Sequence, residues 1–254
     1  MTAPVTTPGR LTTALINQFD FTSQLDSFTR DSMVDQDDVT SFGNQSHVRA
    51  TTNLDAKVDF TGFFDGSTSS SFNRVIESLL GTVGVITCSR AGNSVGAATD
   101  LISGIIGNDS VDAKETATET TKLTIGVTNP QSGTIDAPSM GFGKLLVPST
   151  VVAVTTLVTG TAVTFVPVDN TKTYTQVVVH AHLLAATGAT TITLQSSPDG
   201  TTWTNVGTLI SSSVATSVRT LFTTAIANTY FRVQYQGASQ PYTLAVALAL
   251  GASF

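Results

Sequence analysis

Ala56-Lys-Val-Asp-Phe-Thr-Gly-Phe-Phe64 decides the fold. Lys57, Asp59 and Thr61 alternate with Val58, Phe60 and Gly62. A period of two marks a strand with one wet face and one packed face. Residues 115–127 repeat it, with Leu123, Ile125 and Val127 opposite Lys122, Thr124 and Gly126. Thr supplies 45 of the 254 residues, and its β-branched side chain favours pleated strands over helices. Further strands are expected over 15–21, 28–34 and 83–89. Residues 97–106 fit either a helix or a strand and are assigned to strand. Asp35, Asp37 and Asp38 should interrupt the second of these strands, ahead of a polar loop at 41–46.

One helix is expected at about 72–80. Phe72, Val75, Ile76, Leu79 and Leu80 fall at i, i+3, i+4, i+7 and i+8, Ser71 can cap the start and Gly81 can end it. A lone amphipathic helix among strands must lie against a sheet.

The C-terminal part is strand after strand: 150–158, 161–166, 174–184, 189–196, 202–210, 214–222, 228–236 and 241–249. Ser197-Pro-Asp-Gly200 is a hairpin turn, in which Pro presets φ, Asp bonds the backbone and Gly supplies a positive φ. Short strands at this spacing fit an antiparallel immunoglobulin-like or jelly-roll sandwich. The fold class expected is therefore all-β with one α-helix.

Charge divides the chain. Residues 1–148 hold 9 Lys+Arg against 16 Asp+Glu, whereas residues 149–254 hold 3 against 2, within a total of -6. With a Gly/Pro/Ser-rich connection at 134–149, this step places a boundary near Pro148 and gives two domains, 1–148 and 149–254. Pro4, Pro8 and Gly9 make residues 1–12 an extended arm. Only 12% of residues are charged, which suits a surface that packs against copies of itself better than one kept apart by repulsion.

No chemistry of catalysis is legible. There is no Gly-rich phosphate loop with a Lys, no Gly-x-Ser-x-Gly and no His-Glu-x-x-His, so no enzyme and no cofactor are expected. His180 and His182 share one strand face and could ligate a metal, but no third ligand lies near them in sequence; His47 reads as a loop or core residue. Asp35, Asp37 and Asp38 lack the Gly and Glu of a calcium loop and read as a solvated acidic cluster. Trp203 is either a sandwich core residue or a ring that stacks on a sugar. Cys88 is the lone cysteine, so no internal disulfide is expected. The N-terminus has neither the basic nor the apolar region of a signal peptide, and the longest apolar run, 242–250, is too short to span a bilayer. A soluble protein made in a cytoplasm, without a membrane partner, is expected.

Three runs resemble a known family. Leu15-Ile-Asn-Gln-Phe-Asp-Phe-Thr-Ser-Gln-Leu25 is similar to the opening strand and turn of siphophage tail tube (major tail) proteins. Asp38-Val-Thr-Ser-Phe-Gly43 and Asn53-Leu-Asp-Ala-Lys-Val-Asp-Phe-Thr-Gly-Phe-Phe-Asp65 resemble the family's loop and alternating strand, with Thr52-Asn53 in place of the family's Pro-Gly. Phe72-Asn-Arg-Val-Ile-Glu-Ser-Leu-Leu-Gly81 resembles its helix. Leu194-Gln-Ser-Ser-Pro-Asp-Gly-Thr-Thr-Trp203 and Tyr230-Phe-Arg-Val-Gln-Tyr235 look like the C-terminal sandwich added to some members.

The resemblance implies homohexameric rings whose inner sheets join into one barrel. The rings would stack into a virion tail tube through which DNA passes during ejection. Tail terminator, tape measure and baseplate proteins would be partners, and the C-terminal domain would decorate the outside. It implies lumen-facing Lys57, Asp59, Thr61, Lys122 and Thr124, and an inter-ring loop with Asp35, Asp37, Asp38, Phe42 and Gly43. Trp203 would be a surface-binding residue. A lumen must let DNA slide, and binding by counterion release needs many cations; the tube half is the acidic one. The alternatives are a virion-surface adhesin or carbohydrate-binding module, and a capsid decoration protein.

Overall fold

A computed structural model describes residues 13–38, 49–63, 71–89, 91–112, 120–127, 140–165, 174–222 and 229–252. The arm 1–12, the loop residues Phe42 and Gly43, and His47 lie outside them. The described chain runs β1 (Thr13–Ile16), β2 (Phe19–Asp20), β3 (Leu25–Asp38), β4 (Arg49–Phe63), α1 (Phe72–Leu79), β5 (Val83–Ser89), β6 (Ala98–Asp112), β7 (Thr120–Val127) and β8 (Met140–Val152). It continues through β9 (Val158–Thr159), β10 (Val163–Thr164), β11 (Tyr174–Ala185), β12 (Thr190–Ser197), β13 (Thr204–Ser212), β14 (Thr216–Phe222), β15 (Tyr230–Gly237) and β16 (Tyr242–Ala252). The protein is all-β with one helix among the described residues, and residues 97–106 are strand.

Three local expectations need correcting. The strand expected at 15–21 is a tight hairpin, because Asn17 turns the chain at φ 53, a left-handed conformation that Asn tolerates better than most residues. Asn17 is fixed there by its N–H donating to Val85 O and its Oδ1 accepting from Val85 N, both at 2.8 Å. Asp35, Asp37 and Asp38 do not end β3, which pairs with β4 as far as Asp38↔Arg49; the register shifts between Val34 and Gln36, at Asp35, and the ladder then resumes, overriding the local preference of Asp for turns. The strand expected at 150–158 ends at Val152.

The helix begins as expected, but Ser71 makes no side-chain cap bond. Gln24 replaces it, its Oε1 accepting from Phe72 N at 2.6 Å. Gly81 ends the helix at φ 77, a conformation open to glycine without penalty. The buried face, Phe72, Val75 and Ile76, joins Ile16, Phe21, Val58, Phe60, Ile86 and Ile102 in one core.

Two sheets form. The larger runs β14–β11–β16–β8–β6–β5–β1–β2, and the smaller runs β10–β15–β12–β13 with β9 also on β15. The larger one forks at β6. Residues 98–102 of β6 pair with β8, whereas Ile105 to Asp112 pair with β7, which pairs with β4, which pairs with β3.

The core drawn from the C-terminal part spans Leu146 to Leu248 and lies between the two sheets as in a sandwich. The N-terminal core spans Ala14 to Ile106. A smaller cluster joins them through Leu101, Leu145, Val178, Ala247 and Ala249. The cores thus divide close to the charge step, while β8 carries the backbone straight through Pro148. From Met140 onward the connection expected at 134–149 is a strand.

Gly143 makes this junction possible. A Cβ there would collide with the Leu248 carbonyl and come within 2.9 Å of the Ala249 Cα. Gly143→Ala should cost about 1–3 kcal/mol by overpacking and lower Tm by several degrees in scanning calorimetry. An unchanged Tm would show that β8 and β16 have room to part.

Candidate assembly surface

The four strands β3–β4–β7–β6 present two chemically different faces. Val58, Phe60 and Ile106 are fully buried on one face, and Phe28 packs on Phe60 with ring centroids 5.3 Å apart. On the other, Ser27 and Thr29 are exposed and Asp59 and Thr61 are half-buried.

Register aligns this second face across all four strands. Thr29 lies opposite Asp59, Asp59 opposite Thr124 and Thr124 opposite Asn108. In the next row Ser27, Thr61, Lys122 and Ser110 line up, and on the other side Asp31, Lys57, Gly126 and Ile105. Cross-strand partners share a face, so Lys57, Asp59, Thr61, Lys122 and Thr124 occupy one face. Between Asp55 and Phe63 of β4, the face carries Asp31, Asp55, Asp59 and Asp112 against Lys57 and Lys122. Its described side chains, Ser27, Thr29, Asp59 and Thr61, are polar, and by residue type the register positions hold four carboxylates against two lysines.

Both outer edges of this unit lack a strand partner among the described residues. β3 pairs with β4 alone, and residues 107–112 of β6 pair with β7 alone. Long unpaired edges are templates for pairing with another chain. Beyond Ala56, β4 has no partner but β3, so 49–55 and the facing part of β3 form a two-stranded ribbon. Such a ribbon is marginal in water by itself. Asp35, Asp37 and Asp38 stand on it as strand residues.

Two polar features hold the curl of the larger sheet. Arg30 Nη1 on β3 donates to Asp100 Oδ1 on β6 at 2.6 Å, with the Asp100 side chain 1% exposed. His180 and His182, on the face of β11 opposite the sandwich core, pack against β5 and the β1–β2 turn. His182 Nδ1 lies 2.6 Å from Asn17 O, and His182 Nε2 lies 2.8 Å from Thr87 Oγ1. His180 Nδ1 lies 3.0 Å from Ile86 O and 3.3 Å from Thr87 Oγ1. Each carbonyl needs an N–H facing it, which makes both imidazoles Nδ1–H tautomers and leaves His182 Nε2 to accept from the Thr87 hydroxyl. Burial holds His180 well below its ordinary pKa, helped by its neighbours His182 and Arg219, which oppose a second positive charge there. Burial likewise lowers His182 to about 4, against the Asn17 carbonyl and Asp20, which act in the opposite direction.

Sequence reasoning saw the histidines as a possible metal pair; the fold uses them as a joint between the two cores. Among the described residues, no group of three or more His, Cys, Asp and Glu could hold a metal ion. Cys88 is buried and takes part in no disulfide. Trp203 is absent from the sandwich core and lies under Arg232, whose Cζ is 4.0 Å from the ring centroid. Neither the Arg30–Asp100 pair nor the Arg232 stack could be read locally, since their partners are separated by 70 and 29 positions.

No family model matches the chain, and no curated protein matches it. Among solved structures, it is similar to a chain in the virion of a native gene transfer agent particle, at 17% identity and a TM-score of 0.37, over 52% of this chain and 100% of that one. A chain in the tail of an empty gene transfer agent particle, refined with C6 helical symmetry, gives 16% identity and a TM-score of 0.34 over 48% and 95%. The SPP1 Dit protein, from the hub adsorption apparatus of phages infecting Gram-positive hosts, gives 13% and 0.32 over 92% and 97%. Likenesses this low assign the chain neither a family nor a role.

Proposed function

We propose that this chain is a structural virion protein: a tail tube subunit that closes into six-membered rings and stacks into a channel for DNA. One observation carries the reading: among the described residues, β3–β4–β7–β6 has polar, acid-rich positions on one face, buries Val58, Phe60 and Ile106 on the other, and is open at both edges. Pairing the β3 edge of one copy with the β6 edge of the next is a head-to-tail contact, which makes a ring when the rotation closes. Closure removes both edges at once.

The acidic face then lines the channel, with Lys57, Asp59, Thr61, Lys122 and Thr124 toward DNA that passes without being captured. The β3–β4 ribbon, with Asp35, Asp37 and Asp38 and the loop residues Phe42 and Gly43, reaches an adjacent ring. Residues 149–254 form the outer, decorating unit. The remaining partners are proteins that end the tube, measure it and anchor it at the baseplate. The motifs at 38–65 and the low overall charge support the same reading.

Electron microscopy of the purified full chain tests it. Six-fold rings with a central channel, alone or stacked, are expected, with contacts on the order of 2,000 Å² or more. A monodisperse monomer at every concentration, or rings of another order, would sink the proposal.

A further inference from the structure

The outer face of the smaller sheet has a composition that assembly does not explain. Its residues alternate with the buried Ile192, Leu194, Phe231, Val233 and Tyr235 and are exposed or half-exposed, apart from Gln195, which is buried. In register it shows the rows Asn205–Gln195–Arg232, Thr208–Thr193–Gln234 and Ser211–Thr191–Gln236. These rows hold four amides, four hydroxyls and one charge.

The side chains are ordered by one another. Arg232 Nε donates to Gln195 Oε1 at 2.8 Å, and Gln195 Nε2 donates to Asn205 Oδ1 at 2.7 Å. Gln234 Nε2 donates to Thr159 Oγ1 at 3.2 Å, and Gln236 Nε2 donates to Thr155 O at 3.0 Å. Trp203 sits at one end, partly exposed and positioned by the Arg232 guanidinium.

The composition narrows the ligand. A protein partner would want an apolar centre in the patch, and there is none in these rows. A nucleic acid would want several cations, and there is one. A pyranose polymer matches what is present. Its hydroxyls pair with planar amides and a guanidinium, and its C–H face lies on an indole. Because the amides already restrain one another, little rotamer freedom is left to lose on binding.

We propose that this sheet face, centred on Trp203 and Arg232, with the buried Gln195 behind them holding Arg232 and Asn205 in place, is a binding site for pyranose polysaccharide. The site is complete within one chain, so it stands whether or not rings form. Repetition along an assembly would raise a weak single-site affinity through avidity.

Trp203 is the only tryptophan, so its emission reports on this site alone. The full chain is titrated with dextran, mannan, galactan and chitooligosaccharides. At least one should shift the emission saturably, and Arg232→Ala and Gln195→Ala should each weaken that binding about tenfold or more, roughly the 1.4 kcal/mol that a tenfold change represents. If either variant fails to fold, Gln234→Ala, at a partly exposed position two residues from Arg232, replaces it with the same expectation. Emission unmoved by every probe up to tens of millimolar sugar overturns the proposal. So does binding that survives the variants intact, since the sugar would then sit elsewhere.

Discussion

Particles built with Asp59→Lys should assemble tails of normal length and then eject their DNA slowly or not at all. Asp59 lies mid-row on the acidic face, opposite Thr29 and Thr124, and is half-buried, so a longer side chain has room to extend from the sheet. Each substitution changes the local charge by two, and ring symmetry and stacking repeat that change along the whole channel. The screening length is about 8 Å at physiological ionic strength, so DNA that nearly fills a channel feels the wall. On the proposed reading four carboxylates stand against two lysines on this wall in the wild type; the variant makes that three against three, so the repulsion is cancelled and each subunit gains a cation that can hold a phosphate. Raising the salt concentration should restore ejection. Ejection at the wild-type rate from normal tails would show that Asp59 faces away from DNA, or that wall charge does not govern sliding.

Acid should open the joint between the two cores. His180 and His182 are buried and neutral in the folded chain, and burial holds His182 at about 4 against an ordinary 6.5. A depressed folded value means that the unfolded chain binds protons first. The stabilisation is therefore fully present above pH 6.5 and is lost as pH falls towards 4. For His182 the loss is on the order of 3 kcal/mol at about 1.4 kcal/mol per pH unit. His180 adds to it in the same direction, since His182 and Arg219 also oppose its protonation, whereas Asp20 offsets part of the cost at His182. Thermal melts should show Tm falling steeply between pH 6.5 and 4. His182→Gln, which keeps a donor and an acceptor without a titrating proton, should flatten that slope. Equal slopes in the two proteins would place the acid sensitivity elsewhere.

The strands were legible wherever one face is buried and the other wet, because period-two alternation is a local signal. Val58 and Phe60 are fully buried whereas Asp59 and Thr61 are half-exposed, as the alternation required. The helix was legible for the same reason, though its cap was not: Gln24 is 48 positions away from Phe72. What escaped depends on pairing at long range. Asp35, Asp37 and Asp38 look like a break and stand in a strand, because β4 supplies a ladder that composition does not reveal. His180 and His182 show in the sequence only as two residues on one strand face; their partners, a threonine and two carbonyls from the other core, come from β5 and the β1–β2 turn. Trp203 looks like core and rests on a sheet face, because Arg232 arrives from β15. The charge step near Pro148 gives no hint that a single strand, β8, runs across it.

The central claim concerns the two open edges, and a cryo-electron-microscopy reconstruction of the assembled protein, resolved to individual strands, tests it most directly. The account predicts β3 of each copy hydrogen-bonded to residues 107–112 of β6 in the next, six copies closing one barrel, and Asp59 on its inner wall. A ring held together by other surfaces, with β3 left solvated or Asp59 on the outside, would contradict it.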